Sequence, residues 1–185
     1  VNIASRSAGF VSKRFNGQPI TKQWAEERAR WEPLVEVFQI KGTSETHPSL
    51  SPNDEFASFG IWDTANLNGV VKKDGDLQGE YLREALKTGL RLQTEFGVNP
   101  FKYGMAAGSD THNSLATGGE EGNFWGKFVA DQPSPKRWDH VMFKQQDGFK
   151  RLGWTQVAAG ITGVWATANT REALWDAMKR KETYA

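Results

Sequence analysis

The sequence of 185 residues contains no cysteine. This absence excludes disulfide-stabilised scaffolds and metal sites built on cysteine thiolates, such as structural zinc and iron–sulfur sites. The sequence also has no excess of one charge, because 23 lysine and arginine residues nearly balance 22 aspartate and glutamate residues, for a net charge of +1. A dedicated nucleic-acid-binding protein needs clustered excess cations, so the composition indicates no nucleic-acid partner.

The chain lacks long hydrophobic runs as well. No stretch approaches the roughly 20 apolar residues of a membrane-spanning helix, and residues 1–10 hold no apolar run of the kind that a secretory signal needs. Hydrophobic residues make up 38% of the sequence and charged residues 24%, as in an ordinary globular chain. We therefore expect one soluble domain or part of one, with no membrane span and no targeting segment in this chain.

The hydrophobic pattern predicts strands that alternate with helices. Apolar spacing and capping residues predict three helices, at Thr21–Arg30, Gly79–Phe96 and Thr170–Arg180. Apolar runs bounded by glycine and proline predict three strands, at Leu34–Ile40, Tyr103–Gly108 and Gly160–Ala166. The segment Thr43–Asp76 is expected to be mostly irregular, and Trp138–Leu152 to be partly helical. This alternation is typical of an α/β fold with parallel strands.

One candidate for chemistry is the sequence Gly108-Ser-Asp-Thr-His-Asn113, directly after a predicted strand. Residues two apart on an extended chain point the same way, so Asp110 and His112 are expected to present a carboxylate and an imidazole to one point. That pair of ligands suits Zn, Mn or Fe. The same triplet also occurs as a hydrogen-bonded turn with no metal.

A second candidate, Lys41-Gly-Thr-Ser-Glu-Thr-His47, also follows a predicted strand and repeats this spacing with Glu45 and His47. In parallel α/β folds, sites form beyond the carboxyl ends of strands. The two motifs together therefore predict a divalent-metal site at a shared edge. The simpler alternatives are a solvated loop carboxylate for Glu45 and a packed turn histidine for His47.

The remaining sequence features are weaker candidates for a functional site. The glycine-rich segment at residues 117–126 lacks the spacing of a phosphate-binding loop, and no serine-hydrolase elbow is present. Eight tryptophans raise the alternative of a carbohydrate-binding protein. Four of them lie at positions compatible with the core, which favours packing over sugar stacking: Trp24, Trp31, Trp165 and Trp175.

Four separated segments resemble motifs of one family and occur in the same order as in that family: Pro33–Pro48, Ser51–Phe56, Gly108–Asn113 and Thr170–Ala185. The family is domain of unknown function 3604, which is similar to the polymerase-and-histidinol-phosphatase (PHP) metallohydrolases. The resemblance covers the chain from about residue 19 onward. It implies a partial distorted (β/α) barrel of PHP type with mostly parallel strands and long loops.

The resemblance also implies a function. It makes the parent protein a metal-dependent hydrolase of a small-molecule ester, typically a phosphoester, with two or three divalent ions at the strand ends. Glu45, Asp110 and His112 would be ligands and catalytic residues, with His47 as a further ligand. Lys41 and Arg171 are candidate contacts to the substrate anion, although each also fits an ordinary surface cation.

The departure from the PHP pattern is informative. PHP-type proteins carry further histidines on earlier strands, and this chain has no histidine before His47. We therefore expect residues 1–185 to be the C-terminal portion of a single PHP-like domain without its N-terminal strands. Its metal site would be incomplete and its own activity poor or absent. The rival interpretation is a non-catalytic remnant that acts as a ligand-binding or oligomerisation module, since half a barrel exposes strand edges that favour self-association.

Overall fold

The computed structural model describes residues 13–14, 17–39, 42–65, 70–73, 75, 77, 79–114, 135–153 and 160–185. Within these ranges four helices occur: α1 (Lys22–Trp31), α2 (Leu82–Phe96), α3 (Lys136–Asp139) and α4 (Arg171–Lys179). Seven strands occur in the same ranges: β1 (Leu34–Gln39), β2 (Gly42–Thr43), β3 (Gly104–Ala107), β4 (Val141–Lys144), β5 (Lys150–Leu152), β6 (Gly163–Val164) and β7 (Thr183–Tyr184). None of the helices in these ranges is long and apolar enough to cross a membrane.

The central sheet has the strand order β2-β1-β3. β1 and β3 are parallel, with Leu34 opposite Gly104 and Glu36 opposite Ala106. β2 is antiparallel to β1, with Gly42 opposite Gln39. The chain therefore reverses after β1 and runs back along it. Gly42 suits this reversal because its φ of +106° is a conformation that favours glycine.

α1 and α2 pack against β1 and β3 in one apolar core, and α4 contributes no residue to it. The three long helices are α1, α2 and α4. Each begins where the sequence predicts it to within three residues, and Thr21 and Thr170 accept hydrogen bonds at the N-termini of α1 and α4 from the amides of Trp24 and Ala173. Gly97 ends α2 in the left-handed conformation, with φ of +78°. The core consists of buried side chains from α1, β1, α2 and their flanking turns: Ile20, Val35, Leu82, Ala85, Leu92 and Phe101.

Two small two-stranded sheets complete the described part of the chain. β4 pairs with β5 and β6 pairs with β7, both antiparallel. The segment Trp138–Leu152, expected to be partly helical, is helical only as far as Asp139 at the end of α3, and the strands β4 and β5 follow it. Val141, Met142 and Phe143 form a short apolar run that pairs with β5, and a turn at Gly148, where φ is +92°, closes the hairpin.

The expectation of mostly parallel strands agrees with the β1–β3 pairing alone among the described strands. The other three described pairings are antiparallel. Short connections account for two of these pairings, β1–β2 and β4–β5, because antiparallel neighbours need only a tight turn, whereas β6 and β7 are connected through α4. No closed barrel occurs within the described ranges, and the distorted barrel remains a prediction.

The tryptophans are less buried than expected. Trp24 is partly buried against the core. Trp31, Trp165 and Trp175 are 67%, 71% and 61% exposed, so the prediction that they pack in the core is wrong. They lie in or beside helices and a strand as predicted, but their contacts are at the surface, with Arg30 and Lys179 over the ring of Trp31 and Tyr184 beside Trp165.

One ion pair lies fully inside the protein. Lys72 Nζ is 2.5 Å from Glu80 Oε2, and the two side chains are only 4% and 0% exposed. Tyr81, the next residue, is also buried and precedes α2. This pair holds the irregular segment before α2 against the helix start.

Candidate functional site

The backbone after β2 caps the N-terminus of α2. Ser44 continues the ladder by donating its amide to Val37 O at 2.6 Å. Its own carbonyl accepts from the Leu82 amide at 2.8 Å, and the Glu45 carbonyl accepts from the Arg83 amide at 3.1 Å. Because Tyr81 provides no side-chain cap, these two carbonyls satisfy donors that a helix start otherwise leaves open. The capping places Glu45 beside Arg83.

The Glu45 carboxylate is held by Arg83. Its Oε1 accepts from Arg83 Nη2 at 2.6 Å and from Nε at 3.1 Å. On the other side, Arg83 Nη1 donates to Asp54 Oδ2 at 2.7 Å. Hydrogen bonds from the Phe56 amide and from Arg83 hold the pKa of Asp54 below its usual value, and the two carboxylates raise the pKa of Arg83. One guanidinium therefore lies between two carboxylates.

This charged group forms one wall of a cleft of about 320 Å³, which we call the Phe cleft. The lining of the cleft also contains aromatic rings. Phe59 stacks on Phe38 with 5.8 Å between ring centroids, and Phe56 lies two residues beyond Asp54. The residues that define the cleft are Phe38, Glu45, Asp54, Phe56, Phe59 and Arg83.

His47 lies in a separate hydrogen-bonded chain. The Ser49 amide donates to His47 Nδ1 at 3.1 Å, so Nδ1 is an acceptor and the proton of the neutral ring is on Nε2. Nε2 then donates to Asp63 Oδ2 at 2.9 Å, while Ser49 Oγ lies 2.6 Å from Nδ1. The ring also packs on Tyr81, with 5.7 Å between centroids. Its surroundings are those of a packed turn histidine, and its role as a metal ligand remains a prediction.

The second motif leaves the sheet where β1 and β3 end. The Gly108 amide donates to Phe38 O at 3.1 Å and prolongs the parallel ladder. Asp110 then adopts φ of +52°, a left-handed conformation that is uncommon outside glycine and often marks functional turns. His112 folds back so that its Nδ1 lies 2.9 Å from the backbone carbonyl of Asp110. The motif is therefore a turn rather than the extended segment that the spacing suggested.

The segment at residues 160–162 closes this end of the sheet. The Gly160 amide donates to Gly108 O at 3.3 Å. The Thr162 hydroxyl accepts from the Ala107 amide at 2.8 Å and donates to the Ala107 carbonyl at 2.7 Å. A Cβ added to Gly160 would lie 2.8 Å from Phe38 O and 2.9 Å from Gly108 N. The end of the parallel pair is thus tightly packed, and the Asp110–His112 turn projects from it.

The two motifs follow strands that run in opposite directions. Asp110 and His112 follow β3 beyond its carboxyl end, whereas Glu45 follows β2, which runs back toward the start of β1 on its other side. Among the described residues, no group of three or more His, Asp or Glu side chains is arranged to hold a metal ion. Of the predicted substrate contacts, Lys41 lies outside the described residues, and Arg171 is an exposed residue at the start of α4.

Three residues of these networks were not predicted from the sequence: Asp54, Asp63 and Arg83. Asp54 falls in a motif that carries the family resemblance, but no local pattern indicates its partner. Arg83 reads as an ordinary polar residue in the first turn of a helix, and its carboxylate partner Glu45 is 38 positions away. Only the fold brings these side chains together.

The described residues form small sheets and four helices, with an aromatic, acidic cleft at the N-terminus of α2. The chain belongs to the family described as "Protein of unknown function (DUF3604)", whose model matches residues 2–185. No curated protein and no solved structure matches the sequence. The family expected from the four motifs is confirmed, and the further similarity to PHP metallohydrolases remains a prediction.

Proposed function

We propose that this chain supplies part of the site of a hydrolase that uses a divalent metal ion to cleave a small-molecule ester such as a phosphoester. The residues that would hold the ion are Asp110 and His112. The turn that carries them follows β3, the strand that pairs in parallel with β1. Sites of α/β proteins form beyond such carboxyl ends.

The observation that carries the proposal is the contact between His112 Nδ1 and Asp110 O, at 2.9 Å. A carbonyl only accepts, so Nδ1 carries the proton and Nε2 of the neutral ring carries the lone pair. Histidines that bind metals usually donate their other ring N–H in this way, because the bond fixes the ring and its tautomer. The left-handed turn at Asp110 supports the same interpretation.

The donor set fits part of a metal site. A catalytic zinc takes about three protein ligands, whereas this turn offers one carboxylate and one imidazole. Glu45 follows β2 on the other side of β1 and would have to move to reach this turn, and His47 would have to give up its bond to Asp63, before either could serve as a third ligand. Zn, Mn and Fe all accept this mixture of donors.

The chemistry divides between the ion and the chain. A divalent ion, when bound, lowers the pKa of water and polarises an ester oxygen. The chain's own contribution would be to hold the imidazole with a proton on Nδ1, directed at the Asp110 carbonyl, and to place the Asp110 carboxylate on the same turn. Lys41 and Arg171 remain candidates for contact with the substrate anion.

Paramagnetic broadening by Mn²⁺ tests this proposal on the chain itself. We expect weak binding that selectively broadens the amide signals of residues 108–113. Asp110→Asn and His112→Gln should abolish the selective broadening, and His140→Gln, which alters another exposed histidine, should leave it intact. Broadening that is centred on other residues, or that survives both turn substitutions, would contradict the proposal.

A further inference from the structure

The Phe cleft has an exposed apolar wall that the proposed hydrolase site does not explain. The side chains of Phe56 and Phe59 are 73% and 71% exposed. A single exposed aromatic residue is ordinary, but two of them at the mouth of a concave site form a patch of the kind that binds ligands. Phe38, stacked under Phe59, extends this wall into the cleft.

The charged part of the cleft lining carries a net negative charge. Arg83 contributes one positive charge, and Glu45 and Asp54 contribute two negative charges. The two carboxylates occupy three of the five N–H donors of the guanidinium, so an anionic ligand would find only the remaining two and would lie beside both negative charges. A cation is attracted by the net charge, and each carboxylate retains lone pairs that Arg83 does not use.

The cleft is also pre-organised. Asp54 Oδ1 accepts the amide of Phe56 at 2.9 Å, which ties the acidic wall to the aromatic wall. Gly60 allows close approach to Phe38, since an added Cβ would lie 2.6 Å from Cε2 of that ring. A site whose walls are fixed before binding loses less conformational entropy when a ligand enters.

From these observations we propose that the Phe cleft binds a small organic ammonium ion, with its apolar body against Phe56 and Phe59 and its charge toward Glu45 and Asp54. Faces of aromatic rings attract cations, and quaternary ammonium groups bind in sites that combine several rings. The cleft volume of about 320 Å³ lies at the lower end of small-molecule sites, which fits a ligand of one ring and one ammonium group.

Three probes with one ring each distinguish the possibilities: benzyltrimethylammonium, neutral benzyl alcohol and anionic phenylacetate. Titrations monitored by amide chemical shifts, with EDTA present, keep the measurement independent of any metal site. We expect saturable binding of the ammonium ion, with shifts in residues 43–46, 54–59 and 83. We expect weaker binding of the alcohol and weakest binding of phenylacetate, and the ammonium affinity should fall as salt rises.

Two substitutions test the two walls separately. Phe56→Leu keeps an apolar side chain but removes the ring, and it should weaken ammonium binding about threefold to fivefold. Phe149→Leu makes the same change at an exposed phenylalanine outside the cleft and should leave the affinity unchanged. Glu45→Gln removes one negative charge and should reduce the preference for the ammonium ion over phenylacetate.

Several outcomes would overturn the proposal. Phenylacetate binding more tightly than the ammonium ion would make Arg83 the recognition group. Equal affinities for the ammonium ion and the alcohol would show that charge plays no part in recognition. An unchanged affinity in Phe56→Leu would show that the ring of Phe56 plays no part. Absence of saturable binding by benzyltrimethylammonium would refute the site itself. None of these results depends on Asp110 or His112, so they leave the proposed hydrolase function to its own test.

Discussion

Replacing Lys72 by methionine should destabilise the protein strongly, because it leaves the Glu80 carboxylate buried without its cation. The Glu80 side chain is 0% exposed and that of Lys72 4% exposed. Removing one partner of a buried pair costs about 3–5 kcal/mol, since the remaining charge is neither hydrated nor compensated. For a domain of this size, that loss lowers Tm by about 6–20 °C.

The chain offers a matched control in Lys87→Met. Lys87 Nζ lies 2.6 Å from Glu84 Oε1, nearly the distance in the buried pair, but these side chains are 68% and 32% exposed. Exposed pairs on a helix contribute only about 0.3–0.5 kcal/mol. Both pairs join a lysine to a glutamate at nearly the same N–O distance. Burial alone should therefore account for the difference in lost stability between the two variants.

Urea denaturation of both variants, and of the double variant Lys72→Met/Glu80→Leu, checks this reasoning. The double variant should recover most of the stability, because it removes the uncompensated charge along with its partner. A loss below about 1 kcal/mol in Lys72→Met would show that water reaches Glu80. A double variant as unstable as the single one would show that packing, rather than charge, explains the loss.

Two further predictions concern the end of the sheet and alkaline pH. Gly160→Ala should lower the free energy of unfolding in urea by about 1–3 kcal/mol, because the new Cβ meets Phe38 O and Gly108 N. The control Gly75→Ala has open space around it and should change this free energy by no more than about 0.5 kcal/mol. Equal effects of the two substitutions would contradict the tight packing at Gly160. Burial raises the pKa of Tyr103 to about 12, so the unfolded chain loses this proton first and stability falls as pH rises from about 10 toward 12. Tyr103→Phe should flatten that fall in thermal denaturation, and parallel curves for both proteins would refute the assignment.

The sequence predicts the helices well because their signals are local. Thr21 and Thr170 are capping residues directly before an amphipathic run, and Gly97 ends another. The sequence does not predict the two strands within Trp138–Leu152, because a short apolar run suits a helix or a strand equally. Only the pairing of Val141 with Leu152 decides between them.

The site is predicted only in part because direction and distant pairing are not local. The sequence places Asp110 and His112 correctly at the end of β3. It treats Glu45 as leaving the same end of the sheet, since nothing in the residues around Gly42 distinguishes a strand that stops from one that turns back. The pairing of Glu45 with Arg83 depends on that reversal and is therefore inaccessible to spacing arguments.

The two main-chain bonds from Ser44 and Glu45 to the start of α2 do not depend on the side chains at these positions. Every amino acid has a backbone carbonyl, so substitutions at these two positions do not by themselves break the junction between sheet and helix. The charge that position 45 presents to the Phe cleft can therefore change while the start of α2 keeps both hydrogen bonds.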